Sequence, residues 1–356
     1  SQSKQTFLKT QKVLMKFIYS ESHKLHFPQA EYHRGEMVTP FEKPERIDLI
    51  SARLDEVGFT GIQCDELWDS EPVLKVHSAD YLQFLETAWQ EWLAAGFNGD
   101  LMAGNFPVRR MQQRCPKHID GKAGFYSSGN DTSINAGTWE AAQASCMATQ
   151  RAQKVVANGD AACLALCRPP GHHAGKDLFG GYCFLNNAAV AAQMFLDQGA
   201  KKVAIIDIDF HHGNGTQDIF YERGDVLFAS LHGQPEDSYP YYSGYADEAG
   251  KMEGEGSNFN YPMPPGTTYS SWAQSLEEAI RQIQKFNSAA LIVSLGVDTY
   301  KEDPISFFCL ETDDYLRCGI QLSKLNLPTV FVLEGGYALE MVGQNVANVL
   351  IGFESG

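Results

Sequence analysis

Two alternating patterns of hydrophobic positions run through the chain. Short apolar runs, typical of buried parallel strands, occupy residues 161–166, 202–208, 226–231, 289–295 and 328–333. Around them, apolar residues recur at helical spacing in 79–94, 138–156, 187–196, 270–286 and 313–325. A regular exchange of strands and helices predicts an α/β domain with a parallel sheet.

The remaining segments set the predicted domain organisation. Residues 1–14 are largely polar, and we interpret them as an N-terminal extension, disordered or foreign to the native protein. A strand is predicted at 15–20, and residues 15–356 are expected to form a single domain. The stretches 96–137 and 237–268 have weak periodicity, and long connections of this kind are usually functional or mobile.

Composition narrows the classes of function. The 356 residues carry a formal net charge of −16, which disfavours nucleic-acid binding. An acidic surface would attract cationic ligands such as polyamines, although many soluble proteins are simply acidic. No apolar run approaches the roughly 18 residues of a membrane helix, and no secretory signal is visible. The eight cysteines form no CxxC pair, which favours free thiols in a reducing compartment.

Polar clusters follow four of the predicted strands. They are 168–175 (Arg-Pro-Pro-Gly-His-His-Ala-Gly), 207–215 (Asp-Ile-Asp-Phe-His-His-Gly-Asn-Gly), 296–299 (Gly-Val-Asp-Thr) and 334–337 (Glu-Gly-Gly-Tyr). In an open parallel sheet the carboxyl ends of the strands face one crevice, and ligands bind there. Each cluster alone is commonly a turn, a cap or a structural histidine. At four strand ends together, they predict one functional site.

The cluster at 207–215 has the spacing of metal ligands. Side chains at alternate positions of an extended chain share a face, so Asp209 and His211 can approach one cation. Asp298, from another strand end, can supply a third ligand. Such a set leaves one coordination position open, as a catalytic zinc site requires. Because oxygen ligands also suit Mn²⁺ and Fe²⁺, the identity of the metal stays open.

Three further side chains fit metal-assisted hydrolysis. His172 and His173 are adjacent, and a histidine near an attacking water can act as general base and then as general acid. Asp207 is the candidate partner that fixes the tautomer of His172. Tyr337 follows two glycines and could donate a hydrogen bond to a developing oxyanion.

Together with Ser230-Leu-His232, these motifs resemble those of the arginase–deacetylase superfamily and, more narrowly, of the zinc-dependent histone deacetylase family. The resemblance spans residues 15–352. The segments 17–25, 179–187 and 297–308 look most like bacterial acetylpolyamine amidohydrolases. The family resemblance implies a three-layer αβα arginase–deacetylase fold, with a central, mostly parallel sheet and long strand-end loops. The stretch 96–137 is similar to the insertion that narrows the active site and builds a dimer in those enzymes.

The resemblance also implies a role for each candidate residue. The implied zinc ligands are Asp209, His211 and Asp298, and the implied catalytic residues are His173, His172, Asp207 and Tyr337. Within this set His173 is the general base and acid, His172 gives electrostatic support, and Tyr337 polarises the acetyl carbonyl. A structural K⁺ similar to the family's would be held by main-chain oxygens of Asp207, Asp209 and His211, with Ser230 and Leu231.

Substrate recognition follows from the same resemblance. Tyr182 and Tyr239 would wall a channel around the alkyl chain of the substrate. Glu31 is the first candidate to attract its cationic amine, and Asp120 and Asp131 are next. For each of the two aspartates, the equal alternative is an ordinary solvated carboxylate with no role in binding. The expected ligands are acetylputrescine, acetylcadaverine and acetylspermidine. A homodimer in the bacterial cytoplasm is expected, with no membrane or nucleic-acid partner.

One residue departs from the pattern of many family members. Asn214 stands where they have an aspartate behind the second histidine. Because a neutral amide supports an imidazolium less than a carboxylate does, we expect His173 to be less basic than in those relatives.

Three other functions compete with polyamine deacetylation. A broader acetyllysine or small-amide deacetylase would use the same chemistry on wider substrates. A non-catalytic polyamine sensor would have no need of His172, His173 and Tyr337. An arginase-like manganese ureohydrolase normally uses two metals and more ligands than this constellation offers.

Overall fold

The computed structural model describes residues 14–356, and its centre is an eight-stranded sheet. The strands are β1 Lys16–Tyr19, β2 Glu31–His33, β3 Glu36–Val38, β4 Thr60–Gln63, β5 Ala162–Ala165, β6 Val203–Asp207, β7 Val226–Gly233, β8 Asn258–Met263, β9 Leu291–Leu295 and β10 Thr329–Leu333. The α-helices are α1 Glu45–Glu56, α2 Glu71–Leu74, α3 Ala79–Ala94, α4 Ile119–Phe125, α5 Thr138–Ala157, α6 Asn187–Asp197, α7 Asn214–Phe220, α8 Tyr269–Phe286, α9 Thr312–Ser323 and α10 Leu339–Ser355. Short 3₁₀ turns lie at Glu21–Leu25 and Met252–Gly254.

The central sheet is parallel at each of its pairings, in the order β4-β1-β5-β10-β9-β6-β7-β8. The strands β2 and β3 form a separate antiparallel hairpin. Four strands that precede the polar clusters, β5, β10, β9 and β6, are consecutive in the sheet. Their carboxyl ends therefore lie side by side, although their residues are far apart in sequence.

Two hydrophobic cores lie on opposite faces of this sheet. Side chains alternate between faces along a strand, so Ile18 joins one core while its neighbour Phe17 joins the other. Val330 and Phe331 divide in the same way. Helices α3, α5 and α6 cover the first face, and α1, α8, α9 and α10 cover the second. The predicted three-layer αβα architecture is confirmed.

Most predicted elements agree with the structure to within a few residues, and the strand predicted at 15–20 is β1. The stretch 96–137 is less irregular than expected, because it contains α4 and a bridge between Leu101 and Ile134. The second stretch, 237–268, contains the edge strand β8. Residues 1–13 lie outside the described part of the chain, so the boundary of the extension stays a prediction. Among residues 14–356, no helix has both the length and the apolar character that crossing a bilayer requires.

Candidate active site at the strand ends

The four polar clusters meet at one edge of the sheet, as the sequence predicted. The donor atoms of Asp209, His211 and Asp298 lie within 4.8 Å of one another, and all three residues are buried. Nδ1 of His211 is 2.9 Å from Asp298 Oδ2 and 3.3 Å from Asp209 Oδ1. Two carboxylates and an imidazole that converge on one point fit a divalent cation such as Zn²⁺.

The electrostatics of these carboxylates favour a cation. Burial and the neighbouring charge of Asp209 raise the pKa of Asp298 to about 8. Two carboxyl groups that share a buried space resist ionising together, and a positive ion between them relieves this cost.

Backbone groups orient both carboxylates. The second oxygen of Asp209 accepts the N–H of Gly335 at 2.8 Å, and Oδ1 of Asp298 accepts the N–H of Phe210 at 2.7 Å. A methyl group on Gly335 would come within 2.6 Å of Asp209 Oδ2 and 2.7 Å of Asp298 Oδ2. Glycine is therefore needed at 335 so that the chain after β10 can pass close to Asp209 and Asp298.

The adjacent histidines have different partners. Nδ1 of His172 lies 2.9 Å from Asp207 Oδ2, and Nδ1 of His173 lies 2.6 Å from Asn214 Oδ1. Burial alone would lower the pKa of His172, but nearby carboxylates, Asp209 foremost, raise it well above its usual value. Burial and the charge of His172 lower the pKa of His173 well below its usual value. The first imidazole is thus favoured as a cation and the second as a neutral base.

Glu334 has a structural function that the sequence did not reveal. This fully buried residue accepts the backbone N–H groups of Gly171 and His172 through Oε2, at 2.7 and 3.1 Å. Its other oxygen accepts the hydroxyl of Ser294 at 3.1 Å. The carboxylate at the end of β10 therefore holds the turn that presents the two histidines. The sequence offered its place in the Glu-Gly-Gly-Tyr motif, but no partner.

Arg46 of α1 was missed entirely. This fully buried side chain donates to the carbonyl oxygens of Glu334 and Gly336, each at 2.6 Å. Its guanidinium lies 4.8 Å from the centre of the Tyr337 ring, and it forms an ion pair with Glu42 at 2.9 Å. The one signal in the sequence is the i,i+4 spacing of Glu42 and Arg46, which is common on exposed helices.

An open pocket of about 410 Å³ leads to this site. Catalytic candidates and predicted wall residues line it together: His173, His211, Tyr337, Tyr182, Tyr239, Glu31 and Asp131. The Tyr239 ring meets the His173 ring edge to face, with centroids 4.9 Å apart. The Tyr182 hydroxyl donates to Glu31 Oε1 at 3.0 Å. The structure therefore brings two of the three acidic candidates to the pocket.

Asp120 is the exception. It lies in the first turn of α4 and is not among the described residues that line the pocket. The ion pair of Lys122 with Glu91, at 2.7 Å, attaches α4 to α3. The resemblance made both Asp120 and Asp131 candidates within the 96–137 stretch. The helix holds Asp120 elsewhere, whereas Asp131 accepts the backbone N–H of Gly181 at the pocket wall.

Comparisons with known proteins identify relatives of the chain. The family model described as histone deacetylase domain matches residues 40–353. The acetylpolyamine amidohydrolase of Mycoplana ramosa is 52% identical over 338 residues, which cover 95% of this chain and 99% of that protein. Acetylpolyamine amidohydrolase 2 of Pseudomonas aeruginosa is 52% identical over 337 residues, with coverage of 95% and 98%.

A solved structure agrees with these matches. The crystal structure of acetylpolyamine aminohydrolase from Burkholderia pseudomallei superimposes with a TM-score of 0.91 at 38% identity. The match covers 96% of this chain and 99% of that one. Both the fold and the region of all four clusters are therefore shared.

Proposed function

The chain belongs to the histone deacetylase domain family and is a deacetylase, and on this premise we propose that it removes the acetyl group from acetylated polyamines. The family is the one that the motifs predicted. Acetate and the free amine would be the products. The substrate class is supported by two relatives that are 52% identical and carry the name acetylpolyamine amidohydrolase.

One arrangement carries the proposal. A buried ligand cluster, a neutral imidazole and a phenol converge at the inner end of a pocket that has aromatic walls and two carboxylates. The metal is proposed to be Zn²⁺, with Fe²⁺ or Mn²⁺ as substitutes, because the nitrogen and oxygen donors suit each. When bound, the cation polarises the amide carbonyl and lowers the pKa of its water.

The side chains then divide the proton transfers. With Nδ1–H of His173 donated to Asn214, its Nε2 is free to take a proton from the attacking water and deliver it to the leaving amine. His172, held by Asp207, contributes positive charge beside the reaction. Burial raises the pKa of Tyr337 well above its usual value, so its hydroxyl stays protonated and donates to the developing oxyanion.

Substrate selection would depend on the pocket walls. Tyr182 and Tyr239 would enclose the alkyl chain, and Glu31 and Asp131 would attract the distal ammonium of acetylputrescine, acetylcadaverine or acetylspermidine. Both carboxylates lie at the pocket surface and are fixed by hydrogen bonds, so little side-chain entropy would be lost when a cation binds.

A structural K⁺ is proposed behind the site, held by main-chain oxygens of Asp207, Asp209 and His211 with Ser230 and Leu231. The pairing of β6 with β7 supports this arrangement, because it sets Asp207 directly opposite Ser230. Both residues are fully buried.

A homodimer through 96–137 is proposed as well. Exposed apolar side chains support it, with Phe106, Val108 and Met111 between 43% and 69% exposed. The Arg109 guanidinium lies 5.5 Å from the centre of the Tyr242 ring, so this surface adjoins the loop that carries Tyr239.

All eight cysteines are unpaired, which supports a reducing compartment. The bacterial cytoplasm stays a prediction.

A comparison of substrates tests the proposed function. We expect kcat/KM for acetylputrescine or acetylspermidine to exceed that for an acetyllysine peptide by at least about tenfold, which corresponds to 1.4 kcal/mol. Equal efficiency would favour the broader acetyllysine or small-amide deacetylase. Replacement of Tyr337 by Phe separates an enzyme from a sensor: turnover should fall by roughly 10²-fold to 10³-fold while binding changes little.

A further inference from the structure

Two consecutive glycines precede Tyr337 in the segment that follows β10. Tyr337 follows β10 through Gly335 and Gly336, and Gly336 has a φ of +133°, a value that side chains disfavour. Two glycines leave the backbone free to rotate. The position of the phenol therefore depends on hydrogen bonds to the main chain around it, together with the contacts of its ring with Arg46 and Tyr182.

Besides the N–H of Gly335, which Asp209 accepts, the main chain of this segment is held from two sides. Arg46 binds the carbonyl oxygens of Glu334 and Gly336, as described above. On the other side, Oδ2 of Asp303 accepts the backbone N–H of Tyr337 at 2.8 Å. Arg46 has only donors, so it cannot replace Asp303 as the acceptor for this N–H.

Asp303 is itself fixed in place. It is buried, its Oδ1 accepts the N–H of Ile305 at 3.1 Å, and its own N–H donates to the Tyr300 carbonyl at 3.0 Å. It lies five residues after Asp298 in the segment that follows β9. One short stretch of chain therefore carries both a metal ligand and the group that anchors Tyr337.

We propose that Asp303 is a positioning residue that sets the distance between the Tyr337 phenol and the ligand cluster. A hydrogen bond from a backbone N–H to a buried carboxylate is stronger than one to a neutral acceptor. A displacement of about 1 Å at a reacting group can reduce rate by about 10²-fold. The inference rests on the proposed function, since it assigns Asp303 an effect only through Tyr337.

A double-mutant cycle tests this coupling. Asp303→Ala should lower kcat on acetylputrescine by about 10-fold to 10²-fold with KM changed less than about threefold. Asp303→Asn should recover part of the loss, because one amide oxygen can still accept the Tyr337 N–H. In a Tyr337→Phe background, Asp303→Ala should cost less than about threefold, because the hydroxyl that it positions is already gone.

Two controls separate positioning from damage. Glu302→Ala changes an exposed neighbour in the same segment and should leave kcat as in the wild type. Zinc content measured by atomic absorption should be unchanged in Asp303→Asn, which also serves as the test variant if the alanine form does not fold.

The inference is overturned if the losses from Asp303→Ala and Tyr337→Phe multiply, if kcat of Asp303→Ala (or of Asp303→Asn, where the alanine form does not fold) equals that of the wild type, or if Asp303→Asn loses zinc in proportion to activity. Unchanged turnover in Tyr337→Phe alone would instead overturn the proposed function, and this inference with it.

Discussion

Nδ1 of His173 lies 2.6 Å from the amide oxygen of Asn214, so the proposed general base is supported by a neutral group. The adjacent His172 has a carboxylate partner, Asp207, at 2.9 Å. Burial and the charge of His172 lower the pKa of His173, whereas nearby carboxylates, Asp209 foremost, raise the pKa of His172, so the two imidazoles have opposite protonation preferences. Paired titratable groups whose pKa values are pushed apart are typical of acid and base roles in one site.

The first prediction follows from this neutral partner. Asn214→Asp places a carboxylate behind His173, which favours the imidazolium and raises the pKa of His173. Because the reaction needs the neutral base, the acid limb of the kcat/KM profile should move to higher pH, on the order of one unit. Asn158→Asp, at an exposed helix end, is the matched control. An identical pH–rate profile for Asn214→Asp would count against the role of Asn214.

A second prediction concerns the ion. Removal of divalent metal with a chelator should abolish turnover and also lower stability, because Asp209 and Asp298 are then buried together without a cation. Zn²⁺ at about 100 times its Kd should raise the free energy of unfolding of the metal-free protein by about 2.7 kcal/mol. Thermal unfolding of chelated and reloaded protein, with metal content measured alongside, checks this. Full activity in metal-free protein would show that the reaction does not need a metal ion and would contradict the proposed mechanism.

Gly335 gives a third prediction, because its missing side chain leaves room for the carboxylates of the proposed metal ligands Asp209 and Asp298. Gly335→Ala should reduce zinc occupancy and turnover, since the methyl group would press on Asp209 and Asp298. Gly104→Ala is the control, because a methyl group there would meet nothing within 4 Å. The readout is zinc per chain after dialysis against a fixed free Zn²⁺ concentration. Equal occupancy in both variants would contradict the proposed metal position.

The convergence of the polar clusters could be predicted from the sequence because strand ends obey a local rule. Buried apolar runs are recognisable without knowledge of the fold, and the residues that follow them must share one edge of a parallel sheet. That rule placed Asp209 and Asp298 together although they are 89 positions apart in the chain. It did not give the order of the strands, which depends on packing between distant segments.

The side chains that fix the backbone around the site residues were harder to predict. Arg46 and Asp303 act on backbone atoms of Gly336 and Tyr337, and backbone atoms have no signature in the sequence. The short helix α4 was missed for a different reason. Its seven residues, which include Asp120, contain two glycines and show little periodicity, so no pattern in the sequence indicated a helix there.

Glu31 gives a fourth prediction, which concerns pH and substrate charge. Burial raises the pKa of Glu31 to about 7, although hydrogen bonds from Phe41 and Tyr182 oppose the shift. As pH rises through this value the carboxylate ionises, so KM for a cationic acetylpolyamine should fall. KM for a neutral N-alkylacetamide should not respond. Glu31→Gln should remove the response, whereas Glu36→Gln on the exposed hairpin should retain it. A pH response that survives in Glu31→Gln would assign the attraction to another group.

The buried carboxylate of Glu42 leads to the last prediction. Its Oε1 accepts from Arg46 and from Arg168, each at 2.9 Å, and all three side chains are buried. Burial alone would raise the pKa of Glu42, but Arg168 and Arg46 hold it below its usual value. The stability that ionised Glu42 contributes is therefore present above its unfolded pKa and is lost as pH falls through the folded pKa.

Glu42→Gln should consequently destabilise the fold by about 3–5 kcal/mol at neutral pH, because two guanidinium groups remain buried without their shared counterion. The urea midpoint of unfolding measures the loss, and the gap from the wild type should narrow in acid, where the wild-type carboxyl also becomes neutral. Lys43→Gln, at an adjacent partly exposed position, is the control and should change the midpoint little. A gap that stays constant down to acidic pH would show that Glu42 stabilises the fold through packing and not through its charge.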